Sequence, residues 1–421
     1  MAKSERIEKN YAIAKEIYAE AGVDTEKAVQ ELAKIRISLH CWQGDDIKGF
    51  EVRDGSVVAG NTVTGNYPGK ARNIDEFRAD VEKVLSLAGG NHRLALHAIY
   101  LDSKTKVDRA SIAPEHFQSW MDWAKEKNLY LDMNQTYFDH PNANDGLTLT
   151  HPDPEIRKYW VEHGRATRRV AAAFGKAQST PSTCNLWIQD GLKDAPANRL
   201  VFRQRLVEGL DATFAEKHDP THLADSVEPK LFGIGTESFI PGSHEFYLNY
   251  SQSRKVMLTY DNGHFHPTET IADKFTSYFL FNERMLLHVT RGIRWDSDHV
   301  LTLGEDVIEI AKELVRGNFL DRTFIGTDFF DASINRIAAW TVGLRSMQKA
   351  MLLAFLEPVK RLQDAELNFD FTTRMALMEE QKSLPWSAVW DYFCHKHNAP
   401  IGEEWLKEVK QYEANVLSKR S

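Results

Sequence analysis

Between Glu228 and Asp328 lie seven side chains of the types that bind divalent metal: Glu228, Asp261, His264, His288, Asp296, Asp298 and Asp328. They fall in four short segments, VEPK, YDNGHFHP, MLLHVTRGIRWDSDH and IGTDFFD. Each segment runs from an apolar, strand-like stretch into a polar tip. Asp296 and Asp298, two apart, face one side of an extended chain and cannot both ionise there cheaply without a cation. Asp261 and His264, three apart, reach one site only if the chain turns between them, which Gly263 permits. His266 follows before Pro267 and is read as supporting; Asp331 is the alternative to Asp328 at its strand end. Carboxylate oxygens suit Mg²⁺ or Mn²⁺, and an added imidazole shifts the preference toward Mn²⁺ or a neighbouring transition ion.

The inventory divides into two sites. Glu228, Asp261, His288 and Asp328 make a closed set of three carboxylates and one imidazole. His264, Asp296 and Asp298 make a more open set with positions left for water or substrate. Two such metals can polarise a carbonyl and its neighbouring hydroxyl. Lys230, two residues from Glu228, is placed to bind a substrate oxygen; the bland alternative is a buried ion pair. No zinc-protease helix motif or nucleophile elbow is present. GNYPGKA fails as a phosphate loop, with Thr64 in place of the first glycine and Ala71 in place of the hydroxyl residue.

Such side chains need a frame that brings strand tips together. Strands are predicted at 35–42, 92–100, 129–137, 182–189, 223–231, 255–262, 285–291 and 322–330, with helical patterns between them, such as 73–88 and 154–175. Strands alternating with helices imply a parallel sheet, and eight of them imply a closed (β/α)₈ TIM barrel, class α/β. Residues 1–34 are expected to form N-terminal helices packing on the barrel, the second capped by Asp24 or Thr25. The barrel is expected over 35–332. Residues 333–421 are expected to form a helical extension, with helices at 333–357, 370–395 and 402–418, making oligomer contacts. The glycine-rich stretch 43–73 is read as a lid or pocket wall over the mouth, or as a solvated insertion.

The 421 residues carry a net charge of -8 and are 42% hydrophobic. The acidic balance argues against nucleic acid, including barrel hydrolases of abasic DNA, which need a basic groove. The longest apolar run, AMLLAFL, is too short for a bilayer. The charged, helical N-terminus does not read as a secretory leader, and Cys41, Cys184 and Cys394 imply no disulfide framework, so a cytoplasmic setting is expected.

Several longer strings resemble the L-rhamnose isomerase family over essentially the whole chain: SLHCWQGDD (38–46), TGNYPGKARN (64–73), LHAIYLDS (96–103), VEPKLFGIG (227–235), DNGHFHPTE (261–269), RWDSDHV (294–300), DFFDASINRIAAW (328–340) and EEQKSLPW (379–386). That family is similar to xylose isomerase in having a barrel and two metals. The resemblance implies reversible conversion of L-rhamnose to L-rhamnulose, two Mn²⁺ sites per subunit with other divalent ions possible, and a homotetramer. It places the catalytic metal on His264, Asp296 and Asp298, and the structural metal on Glu228, Asp261, His288 and Asp328. Lys230 and His264 would touch substrate, with His97, Trp187 and the 43–73 stretch in pocket regions. Asp296, Asp328 and Lys230 would be catalytic, a water steered by either aspartate moving the proton between O1 and O2 while the C2 hydrogen passes to C1 as hydride. An isomerase preferring another aldose and a non-catalytic sugar-binding protein are the competing readings; the latter would not need seven metal ligands.

Overall fold

The alternation in IRISLHCW and its seven counterparts becomes short strands that bury apolar side chains on one face and gather polar ones on the other. A computed structural model describes residues 3–52, 65–233, 236–293 and 295–420, the side chains of Trp295 and Asp296 excepted. The strands are β1 (Ile37–His40), β2 (Arg93–His97), β3 (Tyr130–Asn134), β4 (Ser182–Leu186), β5 (Leu223–Val227), β6 (Met257–Asp261), β7 (Met285–Val289), β8 (Arg291–Ile293), β9 (Trp295–His299) and β10 (Thr323–Thr327). β1 to β7 and β10 form a closed parallel barrel in the order β1-β10-β7-β6-β5-β4-β3-β2. β8 and β9 form a separate antiparallel ribbon between β7 and β10. The predicted strand over 285–291 therefore divides at Thr290, and the ribbon was not foreseen.

A helix follows each barrel strand: 74–86, 118–126, 154–178, 199–213, 244–254, 272–279, 305–316 and 336–355. Their starts show why they begin there. Asn73 accepts from Glu76 N, Asp153 from Glu155 N with Pro154 in the first turn, and Asn335 from Ala338 N, each occupying a backbone donor the helix cannot pair itself. The helix over Arg336–Phe355 packs against 305–316 and 74–86 and closes the outer ring. The ring thus draws its last member from the stretch assigned by sequence to the extension.

The two N-terminal helices, Lys3–Glu20 and Thr25–Lys34, lie where expected, and Asp24 caps the second through Lys27 N. Tyr11 stacks on Tyr392 at 3.7 Å, tying the first helix to the C-terminal helices. The helix expected over 370–395 is two, Phe371–Glu380 and Trp386–Lys396. Pro385 supplies no N–H and restricts Leu384 to extended backbone, which breaks the run. A further helix, Val359–Leu367, precedes them. No helix among the described residues is long and apolar enough to cross a membrane.

The amino-terminal end of the barrel is closed. Arg93 binds both oxygens of Asp132 at 2.7 Å, Ser38 Oγ donates to the same carboxylate at 2.8 Å, and Ala224, Met257, Leu286 and Phe324 pack together beside them. Chemistry is left to the carboxyl ends of the strands, as in other barrels of this kind.

Candidate metal centre at the barrel mouth

Register sets the layout. Asp261 ends β6 opposite His288 of β7, and His288 lies opposite Gly326 of β10. Paired residues on parallel strands share a face, so the first two side chains meet inside the barrel. Gly326 leaves room for the imidazole: a Cβ there would stand 3.3 Å from His288 Cδ2 and 3.1 Å from Leu287 O. Glu228 and Asp328 follow the last residues of β5 and β10. One ligand atom from each of Glu228, Asp261, His288 and Asp328 lies within 4.8 Å of all the others. Ligands on opposite sides of a transition ion stand about 4.4 Å apart, so modest tightening closes the set.

The electrostatics fit a cation. Asp261 Oδ1 accepts from Gly263 N at 2.7 Å, while its Oδ2 is buried with no partner among the described residues. Burial pushes the Asp261 carboxyl well above its usual range, with the charges of Asp328 and Glu228 adding to it. His288 Nδ1 lies 3.4 Å from Glu228 Oε1 and 3.2 Å from Asp328 Oδ2. Burial alone would lower its pKa, but Glu228 and Asp328 together outweigh that and raise it well above the usual value. Burial likewise opposes ionisation of Asp328, yet His288 overrides it and the carboxyl sits at about 2, with help from His40 and His264. Both upward shifts favour the protonated forms of His288 and Asp261. A divalent ion would replace both protons.

The turn at Gly263 is a short 3-10 segment, Asn262–His264. It carries His264, which is buried, with Nδ1 3.4 Å from Glu228 Oε1. Two further residues hold this turn. Asn262 exchanges hydrogen bonds with the backbone of Thr290, at 2.8 and 2.7 Å, and His244 Nε2 bonds His264 O at 2.8 Å. Asp298 Oδ1 and Asp261 Oδ1 stand 3.7 and 3.1 Å from where a Gly263 Cβ would be, so Asp298 borders the same turn. Asp298 lies in β9 with φ 42°, a left-handed conformation that breaks the regular alternation assumed for Asp296 and Asp298. Its carbonyl accepts from Phe330 N at 2.7 Å, anchoring the ribbon beside Asp328. The Asp296 side chain lies outside the described residues.

Lys230 Nζ lies 5.0 Å from the Trp187 ring centroid and 3.4 Å from Gln189 O. A row of rings runs from there along the mouth: Phe138 is 6.2 Å from Trp187, His97 5.4 Å from Phe138, and Trp42 5.2 Å from His97. Trp187 Nε1 is buried with no partner among the described residues. Burial holds His97 at about 3, a neutral ring, with Nδ1 bonded to Thr136 Oγ1 at 3.0 Å. His266 is exposed and bonds Thr268, and Asp331 is taken up by Ser333 at 2.7 and 2.6 Å; neither joins the cluster. Of the 43–73 stretch, residues 53–64 lie outside the described residues, so its reading as a lid or wall does too.

Sequence reasoning missed His40, Trp42, Phe138, Asn185, His244 and Asn262. For all but His244, which opens the helix 244–254, the available signal was a polar or aromatic side chain at or just past a strand end or at an inward strand position, where a packed barrel would place aliphatic ones.

A closed parallel barrel with a buried carboxylate–imidazole cluster at the carboxyl ends of its strands defines a metal-dependent α/β-barrel enzyme. A family model described as L-rhamnose isomerase (RhaA) matches residues 5–420. The chain belongs to the L-rhamnose isomerase family. It is 54% identical over 416 residues to an L-rhamnose isomerase of Salmonella gallinarum, covering 99% of each chain, and 53% identical, with the same coverage, to that of Salmonella heidelberg. Among solved structures, an L-ribulose 3-epimerase resembles it loosely, at 13% identity and a TM-score of 0.46 over 79% of this chain and 97% of that one. The barrel assignment rests on the strand order itself.

Proposed function

We propose that the protein interconverts L-rhamnose and L-rhamnulose in an open-chain aldose–ketose isomerisation that uses two divalent ions, Mn²⁺ by donor type. The observation that carries this reading is the convergence of Glu228, Asp261, His288 and Asp328 at the mouth, in a chain of this family. Those four residues would hold the structural ion; His264, Asp296 and Asp298 would hold the catalytic one. Bound there, the ions supply positive charge against the oxygen charge that develops during reaction. Lys230 binds a substrate oxygen, with its ammonium fixed over Trp187. His97 and Trp187 line the sugar, and His97 as a neutral ring can donate or accept without adding charge. A water steered by Asp296 or Asp328 moves the proton from O2 to O1. The hydrogen on C2 moves with its electron pair to C1, so that C2 becomes the carbonyl carbon and C1 an alcohol.

A homotetramer is part of the reading. The hairpin of helices 359–367 and 371–380 supports subunit contact, since Leu367, Phe369, Phe371 and Met375 are 51–81% exposed. So is a cytoplasmic setting, supported by three buried, unbridged cysteines. The test is NMR of C2-deuterated L-rhamnose with Mn²⁺-loaded protein. L-rhamnulose with deuterium at C1 is expected. Deuterium lost to solvent would overturn the hydride shift, and no ketose at all would overturn the substrate. Light scattering on the eluting protein checks the tetramer.

A further inference from the structure

One level below the metal cluster, the barrel interior holds a hydrogen-bonded group whose arrangement is directed at Glu228. Asn185 of β4 lies opposite Ser226 of β5, and Thr259 of β6 completes the group. Asn185, Ser226, Thr259 and Glu228 are all buried. Ser226 Oγ donates to Asn185 Oδ1 at 3.1 Å and Thr259 Oγ1 donates to the same oxygen at 2.8 Å. Asn185 Nδ2 donates to Glu228 Oε2. The reverse amide orientation would set its oxygen against a carboxylate, two acceptors facing each other in a buried site. Only the observed orientation satisfies both sides.

Glu228 is thereby held at one oxygen. Its backbone N–H is fixed as well, donating to Leu186 O at 2.9 Å. The other oxygen, Oε1, is left 3.4 Å from both His264 Nδ1 and His288 Nδ1. The last torsion of a glutamate is broad and has no strong intrinsic preference. Without the amide the carboxylate would lose the bond that selects which oxygen faces the two imidazoles.

We propose that Asn185 is a positioning residue of the metal centre. Its amide, itself oriented by Ser226 and Thr259, pins Glu228 so that Oε1 is presented to the cation beside His288 and His264. This rests on the reading of Glu228 as a metal ligand. Partners that orient ligands without touching the metal typically carry a 10–100-fold effect on affinity.

The test is calorimetric titration of chelator-stripped, full-length protein with Mn²⁺ alone, with circular dichroism and the unfolding midpoint of the metal-free protein alongside. Asn185→Asp keeps the shape and both hydroxyl bonds but replaces the donor facing Glu228. Asn185→Ala removes the amide altogether. Both are expected to weaken Mn²⁺ binding about 10–100-fold, more than any loss in the metal-free protein would explain. Glu228→Gln is expected to weaken it further, and Asn185→Ala added to Glu228→Gln should have no additional effect, because the two act through one carboxylate. Normal affinity in the Asn185 variants with loss in Glu228→Gln would overturn the proposal and leave the ligand reading standing. Normal affinity in Glu228→Gln would overturn both. Should the Asn185 variants fail to fold, Thr259→Val decides: it removes one of the two hydroxyls that orient the amide, is expected to weaken Mn²⁺ several-fold, and at unchanged affinity overturns the proposal.

Discussion

His288 Nδ1 lies 3.2 Å from Asp328 Oδ2, at the ends of the neighbouring strands β7 and β10. In the metal-free protein this is an ion pair; a metal bound to both residues must displace the proton between them. The imidazole's folded pKa is raised, so its contribution to stability is present in full below the unfolded value near 6.5 and is lost as pH rises through the folded value. The Asp328 carboxyl, held at about 2, contributes above its unfolded value near 4 and loses that only as pH falls through 2. Asp261 is raised, so keeping its proton becomes a growing cost as pH climbs above its unfolded value. The chelated protein should therefore lose stability from about pH 4 upward through Asp261, and more steeply from about pH 6.5 as His288 adds its loss. The increment from Mn²⁺ should grow over the same range, since binding releases protons. Thermal unfolding at pH 5 to 9, with and without Mn²⁺, checks this; a Mn²⁺ increment independent of pH would rule it out.

A second prediction concerns the chain's end. Arg420 binds both oxygens of Asp80 at 2.6 and 2.8 Å, and both side chains are 3% exposed. Arg420 Nη1 also reaches Gly69 O at 3.2 Å, and Glu413 accepts from Tyr67 at 2.6 Å, so the C-terminal segment holds residues 67–69 near the mouth. Arg420→Ala leaves a buried carboxyl whose remaining side-chain partner is Tyr412. It should cost about 3 kcal/mol in denaturant unfolding. A loss under about 0.5 kcal/mol, the usual size for an unremarkable surface change, would mean that the pair does not hold the segment.

Much of this was legible in the chain itself because it depends on local alternation. An inward polar tip after an apolar run is readable wherever it occurs, and Gly263 announced the turn that brings His264 back to Asp261. Pairing across distance was not legible. The ribbon over 291–299 is held by Asp298 O and Phe330 N, which are far apart in sequence. Asn185 sits in a strand-like run, and its role depends on which strands stand beside β4. The hidden break at Pro385 had a local signal, but the apolar spacing on either side of it continued the helical pattern.

Gly326 offers a direct test of how tightly the imidazole is seated. A methyl there would stand 3.1 Å from Leu287 O and 3.3 Å from His288 Cδ2, closer than ordinary packing allows. Backbone entropy alone would favour alanine over glycine in a strand. Gly326→Ala should therefore change the metal-free unfolding midpoint little while weakening Mn²⁺ binding by roughly tenfold through the displaced ring. Equal affinity in titration would show that His288 has room to spare, or that it is not a ligand.

Asp296→Asn separates the open site from the closed one. The closed cluster does not include it: its four side chains lie at or just past the carboxyl ends of β5, β6, β7 and β10. The proposed open set would join Asp296 to His264 and Asp298, which border the turn at Gly263. An amide keeps the size of the carboxylate but removes its charge and its capacity to take a proton. With fold and closed-site metal retained, turnover of L-rhamnose should fall about 100-fold or more, while one high-affinity Mn²⁺ equivalent remains in titration. Steady-state kinetics and titration on the same preparation read both quantities. Near-full turnover would remove Asp296 from the catalytic site, and loss of both metal equivalents would mean that the two sites are not separable as drawn.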